Sequence, residues 1–213
     1  MRQYICVDIG GTSIKHGILD ENAVIKESNE TKTEAWLGGT AVLDKVKTIG
    51  KQYTEQYEDI EGICVSTAGM VDPDEGKIVF AGDLMPGYTG TCIKKELEKT
   101  LGIPCEVEND VNCAGLAEYI SGAAKESHIM FCATVGTGIG GCAIMNGRVF
   151  HGAGNSACEV GYIPMGGSDF QTLGASSVLV RKVAEKKIEP LDMWDGKKIF
   201  ALAEKGDKIC ISA

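Results

Sequence analysis

Residues 4–20 read YICVDIGGTSIKHGILD. An alternating apolar run ends at Asp8 and Ile9, the chain bends on Gly10, Gly11 and Thr12, and a second apolar run starts at once. This predicts two strands joined at a glycine turn. The pattern returns at residues 134–145, TVGTGIGGCAIM. Gly136, Gly138 and Gly141 there make a formal G-x-G-x-x-G. A dinucleotide site would need a helix after those glycines, to bring its N-terminus to the pyrophosphate. The chain instead continues as CAIMNGRVF (142–150), two apolar triplets around Asn146–Gly147, which is a hairpin signal. The glycines therefore join strand to strand, and no G-x-x-x-x-G-K-[ST] is present.

Either bend alone reads as an ordinary hairpin with glycine at a tight turn. Glycine also lets backbone approach a ligand, and successive N–H groups at such a bend can bind anionic oxygens. Taken as a pair, with an acid at the first and threonines at both, the bends predict two hairpins that hold a triphosphate from opposite sides of a cleft.

The 213 residues suffice for one generous core or two small ones. They are 44% hydrophobic and 24% charged, the balance of a globular protein. A net charge of −9 without a Lys/Arg cluster argues against nucleic acid as a partner and for small molecules. No apolar run is long enough for a membrane span, and no secretory signal opens the chain. The nine cysteines show no C-x-x-C spacing, and several lie in apolar runs such as YICV, GICVS and MFCATV. They are expected to be reduced, buried core thiols of a cytoplasmic protein, not a metal cage.

Along the chain, AVIKESNETKT (23–33) suggests a third strand running into a polar loop. TAVLDKVKTIGKQYTEQY (40–57) has Val42, Leu43, Val46, Ile49, Tyr53 and Tyr57 at helical spacing. IEGICVSTAG (60–69) is a buried strand, and VDPDEGKIVFAG (71–82) is turn then strand. TCIKKELEKTLG (91–102) is a helix, with Thr91 as its cap and Gly102 past its end. IPCEVEND (103–110) is a strand leading into the helix VNCAGLAEYISGAA, and further helices are expected at 176–187 and 197–206. The best boundary lies near residue 120, giving domains of 1–119 and 120–213.

Asn109 and Asp110 fall between a strand and a helix. Such residues are commonly N-caps. A carboxylate there could also take a proton from an attacking hydroxyl, because a loose phosphoryl-transfer transition state asks more of position than of basicity.

DIGGTSIKHGI, STAGMVDP, ENDVNCAGLAE, GTGIGGCAIMNGRVFHG and CEVGY occur in the order found in the ROK family of bacterial sugar kinases and related repressors, which the chain resembles from about residue 4 to 205. The resemblance implies an α/β, actin-like, hexokinase-type fold of two domains that binds ATP with Mg²⁺ and a sugar. By that match Asp8, Gly10, Gly11, Thr12 and Lys15 form one jaw of the phosphate clamp, with Mg²⁺ near Asp8, and Gly136, Thr137 and Gly138 form the other. Asp110 is the base, and Asn109, Asp110, Gly69 and Glu159 contact the sugar. Glu159 read by itself is equally compatible with a solvent-facing residue on a strand.

The match has departures. Relatives that carry a structural zinc have His where this chain has Tyr162, and a cysteine cluster that MGGSDFQTLGASS (165–177) lacks, so no structural zinc is expected. Gln171 stands nearest to a second sugar-binding Glu. Members with Tyr at this place include some that resemble β-glucoside kinases. The sequence stops at DKICISA, before the glycine motif and helices that complete the family's second domain, so that domain is expected to be incomplete. A hexose, an N-acetylhexosamine or a β-glucoside is the expected substrate, and a homodimer the expected assembly. The alternatives are a sugar-responsive regulator, disfavoured because only seven residues precede Asp8, and an inactive truncated fragment.

Overall fold

The computed structural model describes residues 2–213. The chain divides into two compact units, one of residues 1–117 with 151–156, the other of residues 118–150 with 157–213.

The first unit is built on a sheet of strands β1 (Gln3–Ile9), β2 (Ser13–Asp20), β3 (Ile25–Lys32), β4 (Ile60–Thr67) and, beyond a small hairpin of β5 (Met70–Asp72) and β6 (Lys77–Phe80), β7 (Cys105–Asn109). Their order is β3-β2-β1-β4-β7. β1, β2 and β3 pair antiparallel, while β4 and β7 run parallel to β1. Helices α1 (Gly39–Gln56) and α2 (Ile93–Leu101) carry the chain across to the parallel strands, and α3 (Asp110–Ser121) continues from β7 without a break.

Alternation along each strand assigns its faces. Ile5, Val7 and Ile9 of β1, Ile63 and Val65 of β4, and Cys105 and Val107 of β7 are buried in one core with Val42, Leu43, Val46, Ile49 and Tyr53 of α1 and Ile93 and Leu97 of α2. Each such aliphatic contributes about 1.5–3 kcal/mol of burial. Asp8, Ser66 and Glu108 occupy the intervening positions, at the C-terminal ends of the parallel strands.

Three local expectations are corrected. The polar loop expected after the third strand is strand, because β3 pairs with β2 as far as Lys32 opposite Ser13. Its exposed edge tolerates polar residues. The cap of α2 is Cys92, without a side-chain cap bond, and not Thr91. Thr91 is held by its backbone, with its N–H on Tyr88 O and its carbonyl accepting from Ile78 N. Gly102 does end α2, in the left-handed conformation at φ 70°. The cysteines of the quoted apolar runs are not core residues: Cys6 and Cys132 are half-buried and Cys64 is exposed. Cys6 and Cys64 fall on the strand face away from the core, Cys132 pairs with buried Cys142 on the inner face of β8 but is only half-covered, and Cys105, Cys142 and Cys210 are buried.

The second unit contains the sheet β10-β9-β8, from β8 (Ile129–Val135), β9 (Ile139–Met145) and β10 (Arg148–Val149). The β9–β10 turn is the expected Asn-Gly hairpin, with φ 48° at Asn146 and 79° at Gly147. A short ribbon of β11 (Pro164–Met165) and β12 (Ser168–Asp169) leads to helices α4 (Phe170–Gly174), α5 (Ser176–Lys187), α6 (Gly196–Glu204) and α7 (Lys208–Ser212). Asp207 fastens this last part. Its carboxylate accepts from Ile209 N and Cys210 N at 3.0 Å and from Lys187 Nζ at 2.6 Å. The Lys187 bond, then the Cys210 amide, hold its pKa down at about 2.

Candidate active site

In the first unit the polar row on the sheet's open face is continuous. Lys15 of β2 stands opposite Asp8 of β1, Asp8 opposite Ser66 of β4, and Ser66 opposite Glu108 of β7. Ser66 Oγ donates to Asp8 Oδ1 at 2.8 Å. The row sits where β1, β4 and β7 end, the usual place for ligands on a parallel sheet.

The bend from β1 to β2 is closed by Gly10 N on Ser13 O at 3.0 Å and braced by Thr33 Oγ1 on Gly10 O at 2.6 Å. A Cβ at Gly11 would meet no heavy atom within 4 Å. Packing therefore does not require glycine there, and the open space leaves the backbone approachable by a ligand.

Asn109 and Asp110 join β7 to α3. Asn109 Oδ1 accepts from Val111 N at 2.9 Å and Asn112 N at 3.1 Å, so Asn109 is the cap of α3. Its Nδ2 donates to Gly69 O at 2.9 Å and to Asp110 Oδ1 at 3.0 Å. Both donors and both acceptor lone pairs of that amide are thus occupied, and a sugar contact at Asn109 must replace one of these bonds. Gly69 has φ 101°, and a Cβ there would lie 2.8 Å from Phe80 O, so this glycine is demanded by the turn itself. Thr67, just before it, is fully buried and shares a 2.7 Å hydrogen bond with the Tyr88 hydroxyl.

The Asp110 carboxylate reaches solvent, yet the protein around it strips enough water to raise its pKa. The Val111 amide opposes that rise, and the Asp8 charge adds to it. Cys113, on the first turn of α3, lies among the same acids. Burial pushes its thiol up to about 12, against a Ser66 hydrogen bond and with help from Glu108, Asp110 and Asp8. The structure thus brings together Asp8, Lys15, Gly69, Asn109 and Asp110 with the Gly10–Thr12 bend.

In the second unit Gly136, Thr137 and Gly138 form the β8–β9 turn, with Gly136 N on Gly138 O at 2.9 Å. Ser177 Oγ donates to Thr137 O at 2.7 Å and Ser176 Oγ to Val135 O at 3.2 Å, which seats the start of α5 against the bend. A Cβ at Gly136 would again meet nothing within 4 Å. At Gly141 it would be 2.6 Å from Cys158 O, so the third glycine of the motif makes room for the backbone of the loop before Val160 and not for a pyrophosphate. Glu159 is half-buried and precedes a 3-10 turn, Val160–Tyr162, and is not on a strand.

Ser66, Glu108, His151, Ser176 and Ser177 are not singled out by the sequence reading. Ser66 and Glu108 carry a signal, since both stand in the strand phase of Asp8. The serines and His151 meet their partners across long sequence separations and carry none.

The chain belongs to the ROK family, whose model matches residues 4–212. Its fold is accordingly the α/β, actin-like, hexokinase-type fold. An uncharacterised protein of Clostridium perfringens is 49% identical over 211 residues, covering 99% of this chain and 71% of that protein. A β-glucoside kinase of Klebsiella pneumoniae is 31% identical, covering 95% of this chain and 69% of its own length. Among solved structures, a ROK family glucokinase from Streptomyces griseus in complex with glucose and AMPPNP superposes with a TM-score of 0.83 at 26% identity, over 99% of this chain and 73% of that one.

Proposed function

We propose that this chain transfers the γ-phosphoryl group of ATP to a sugar hydroxyl, with Asp110 as the base. The observation that carries the reading is the position of Asp110: a carboxylate at a parallel-strand end, beside an amide that can turn to a sugar, with its pKa raised by burial and by Asp8.

The residues fit the substrates. The Gly10–Thr12 bend and the Gly136–Gly138 turn each offer approachable backbone for phosphate oxygens, and Lys15 adds a positive charge opposite Asp8. Mg²⁺ carried with ATP, held near Asp8, would neutralise phosphate charge. When sugar enters, Asn109 Nδ2 exchanges its bond to Asp110 Oδ1 for one to a sugar oxygen. The freed carboxylate oxygen then accepts the attacking hydroxyl's hydrogen bond. Proton transfer comes late, as the oxygen bonds to phosphorus, so Asp110 contributes chiefly by position. Gly69 holds Asn109 in place, and Glu159 is the further carboxylate for sugar hydroxyls.

The substrate is a hexose, an N-acetylhexosamine or a β-glucoside, a choice that rests on hydroxyl contacts. The relatives named β-glucoside kinase and glucokinase support the hexose and β-glucoside part of that range. A homodimer, a cytoplasmic setting and the absence of structural zinc belong to the same reading. The test is ADP release with ATP·Mg²⁺ across a panel of these sugars, with Asp110→Ala in parallel. Turnover on one sugar that disappears in the variant is the expected outcome. Turnover that survives in the variant would overturn the Asp base.

A further inference from the structure

Glu108 ends the polar row beside the proposed base turn, and both oxygens of its carboxylate are used. Oε1 accepts from the Asn109 amide at 2.7 Å and from Asn112 Nδ2 at 2.9 Å. Oε2 pairs with His151 Nε2 at 2.7 Å. A carboxylate only accepts, so this histidine nitrogen is the donor. The pair is well shielded, with 17% of the Glu108 side chain and 26% of the His151 side chain exposed.

His151 arrives from 43 residues further along the chain. It opens the segment 151–156, which belongs to the first unit although the residues on either side of that segment belong to the second. The segment that His151 opens therefore grips the turn that bears Asn109 and Asp110.

We infer that Glu108 and His151 act as a positioning pair that fixes the Asn109–Asp110 turn for phosphoryl transfer. The bonds form a chain. Glu108 holds the peptide between itself and Asn109 and ties down Asn112. Asn109, so held, donates to Asp110 Oδ1 and to Gly69 O. Remove His151 and Glu108 keeps a shielded oxygen without its donor. The carboxylate then rotates toward water or takes another donor, and the Asn109 peptide loses its fixed acceptor. Neither residue touches the reacting atoms, and small errors in the position of a catalytic group can cost about 100-fold in rate. This role rests on the kinase reading, but the physical brace does not.

The test combines two measurements on the whole chain. Hydrogen exchange of peptides spanning residues 109–113 reads the brace without any substrate. Steady-state kinetics with the active sugar reads its consequence. In His151→Ala, exchange across 109–113 is expected to quicken about tenfold or more while that of β1 and α1 stays unchanged. The kcat is expected to fall about 10- to 100-fold with a smaller change in sugar KM. His151→Gln, whose Nε2 can donate from the same place, is expected to recover most of both. Glu108→Gln, which folds with the same volume, is expected to repeat the His151→Ala pattern. Unchanged exchange and unchanged kcat in His151→Ala would overturn the inference, and so would equal damage in His151→Gln, because that would mark a packing role. Wild-type turnover in Asp110→Asn would instead overturn the kinase mechanism. In that case quickened exchange in His151→Ala would still establish the brace.

Discussion

Ser66 Oγ donates to Asp8 Oδ1 over 2.8 Å, between residues that face each other across the parallel strands β1 and β4. The hydroxyl fixes one oxygen of Asp8 and leaves the other for a ligand. Ser66→Ala is expected to raise the KM for ATP·Mg²⁺ about 3- to 10-fold, the worth of roughly 1 kcal/mol in a hydrogen bond, with kcat nearly unchanged. Asp8→Asn removes the charge itself and is expected to lower kcat by about 100-fold or more. Steady-state kinetics with ATP varied at saturating sugar checks both.

Asp110 predicts a trade of stability against activity. Its pKa is raised in the folded protein, by burial first and by Asp8 as well. Such a group favours the fold when protonated, and that contribution is lost as pH rises through the folded pKa. At neutral pH the ionised carboxylate therefore weighs against folding. Asp110→Asn keeps an oxygen for Val111 N and removes the charge. Its Tm at pH 7 is expected to exceed wild type by about 1–3 °C, and the difference to vanish as pH falls below the carboxylate range. Turnover should fall about 100- to 10,000-fold. Thermal melts from pH 3 to pH 7 and a rate assay give both answers.

Glycines separate ligand space from packing. Gly11 and Gly136 face open volume, whereas a Cβ at Gly17 would lie 2.0 Å from Glu27 O on the neighbouring strand. Gly17→Ala is expected to cost about 3 kcal/mol, since β2 and β3 must part to admit a methyl group. Gly11→Ala and Gly136→Ala are expected to change Tm by less than about 2 °C, as open surface substitutions do. Each should raise the KM for ATP at least about tenfold. A large loss of Tm in Gly11→Ala would show that its bend serves the fold.

These contrasts show what the sequence could carry. Alternation around Asp8 reveals β1 and its partner, because a strand buried on one face writes that face into every second residue. Helix α1 is equally plain from its apolar spacing. The same alternation also contains Ser66 and Glu108, yet their significance comes only from register, which sets β1, β4 and β7 side by side through connections of many residues. Cys64 misleads for the same reason: an apolar run says nothing about which face a cysteine takes. The half-turn of Glu159 and the long reach of His151 depend on tertiary packing alone.

Tyr88 and Thr67 carry the last prediction, about the floor beneath the Gly69 turn. Both side chains are buried, and their hydroxyls lie 2.7 Å apart. Burial pushes the Tyr88 phenol up to about 12, with the Thr67 bond pulling the other way. Because the folded pKa lies above the unfolded value near 10, the contribution of Tyr88 to stability is complete below pH 10 and is lost as pH rises toward 12. Ultraviolet titration of the folded protein should therefore show one phenol ionising well after the most exposed tyrosines. In Tyr88→Phe that late step should disappear. The Thr67 hydroxyl would then lose its strong partner, keeping only its 3.3 Å contact with Ala68 O. The expected cost is about 1–2 kcal/mol at pH 7, read as a Tm lower by about 2–8 °C. That difference should narrow above pH 10, where the wild-type phenol is itself driven to ionise. A constant difference from pH 7 to pH 12 would mean that the phenol is not held in the core by this bond.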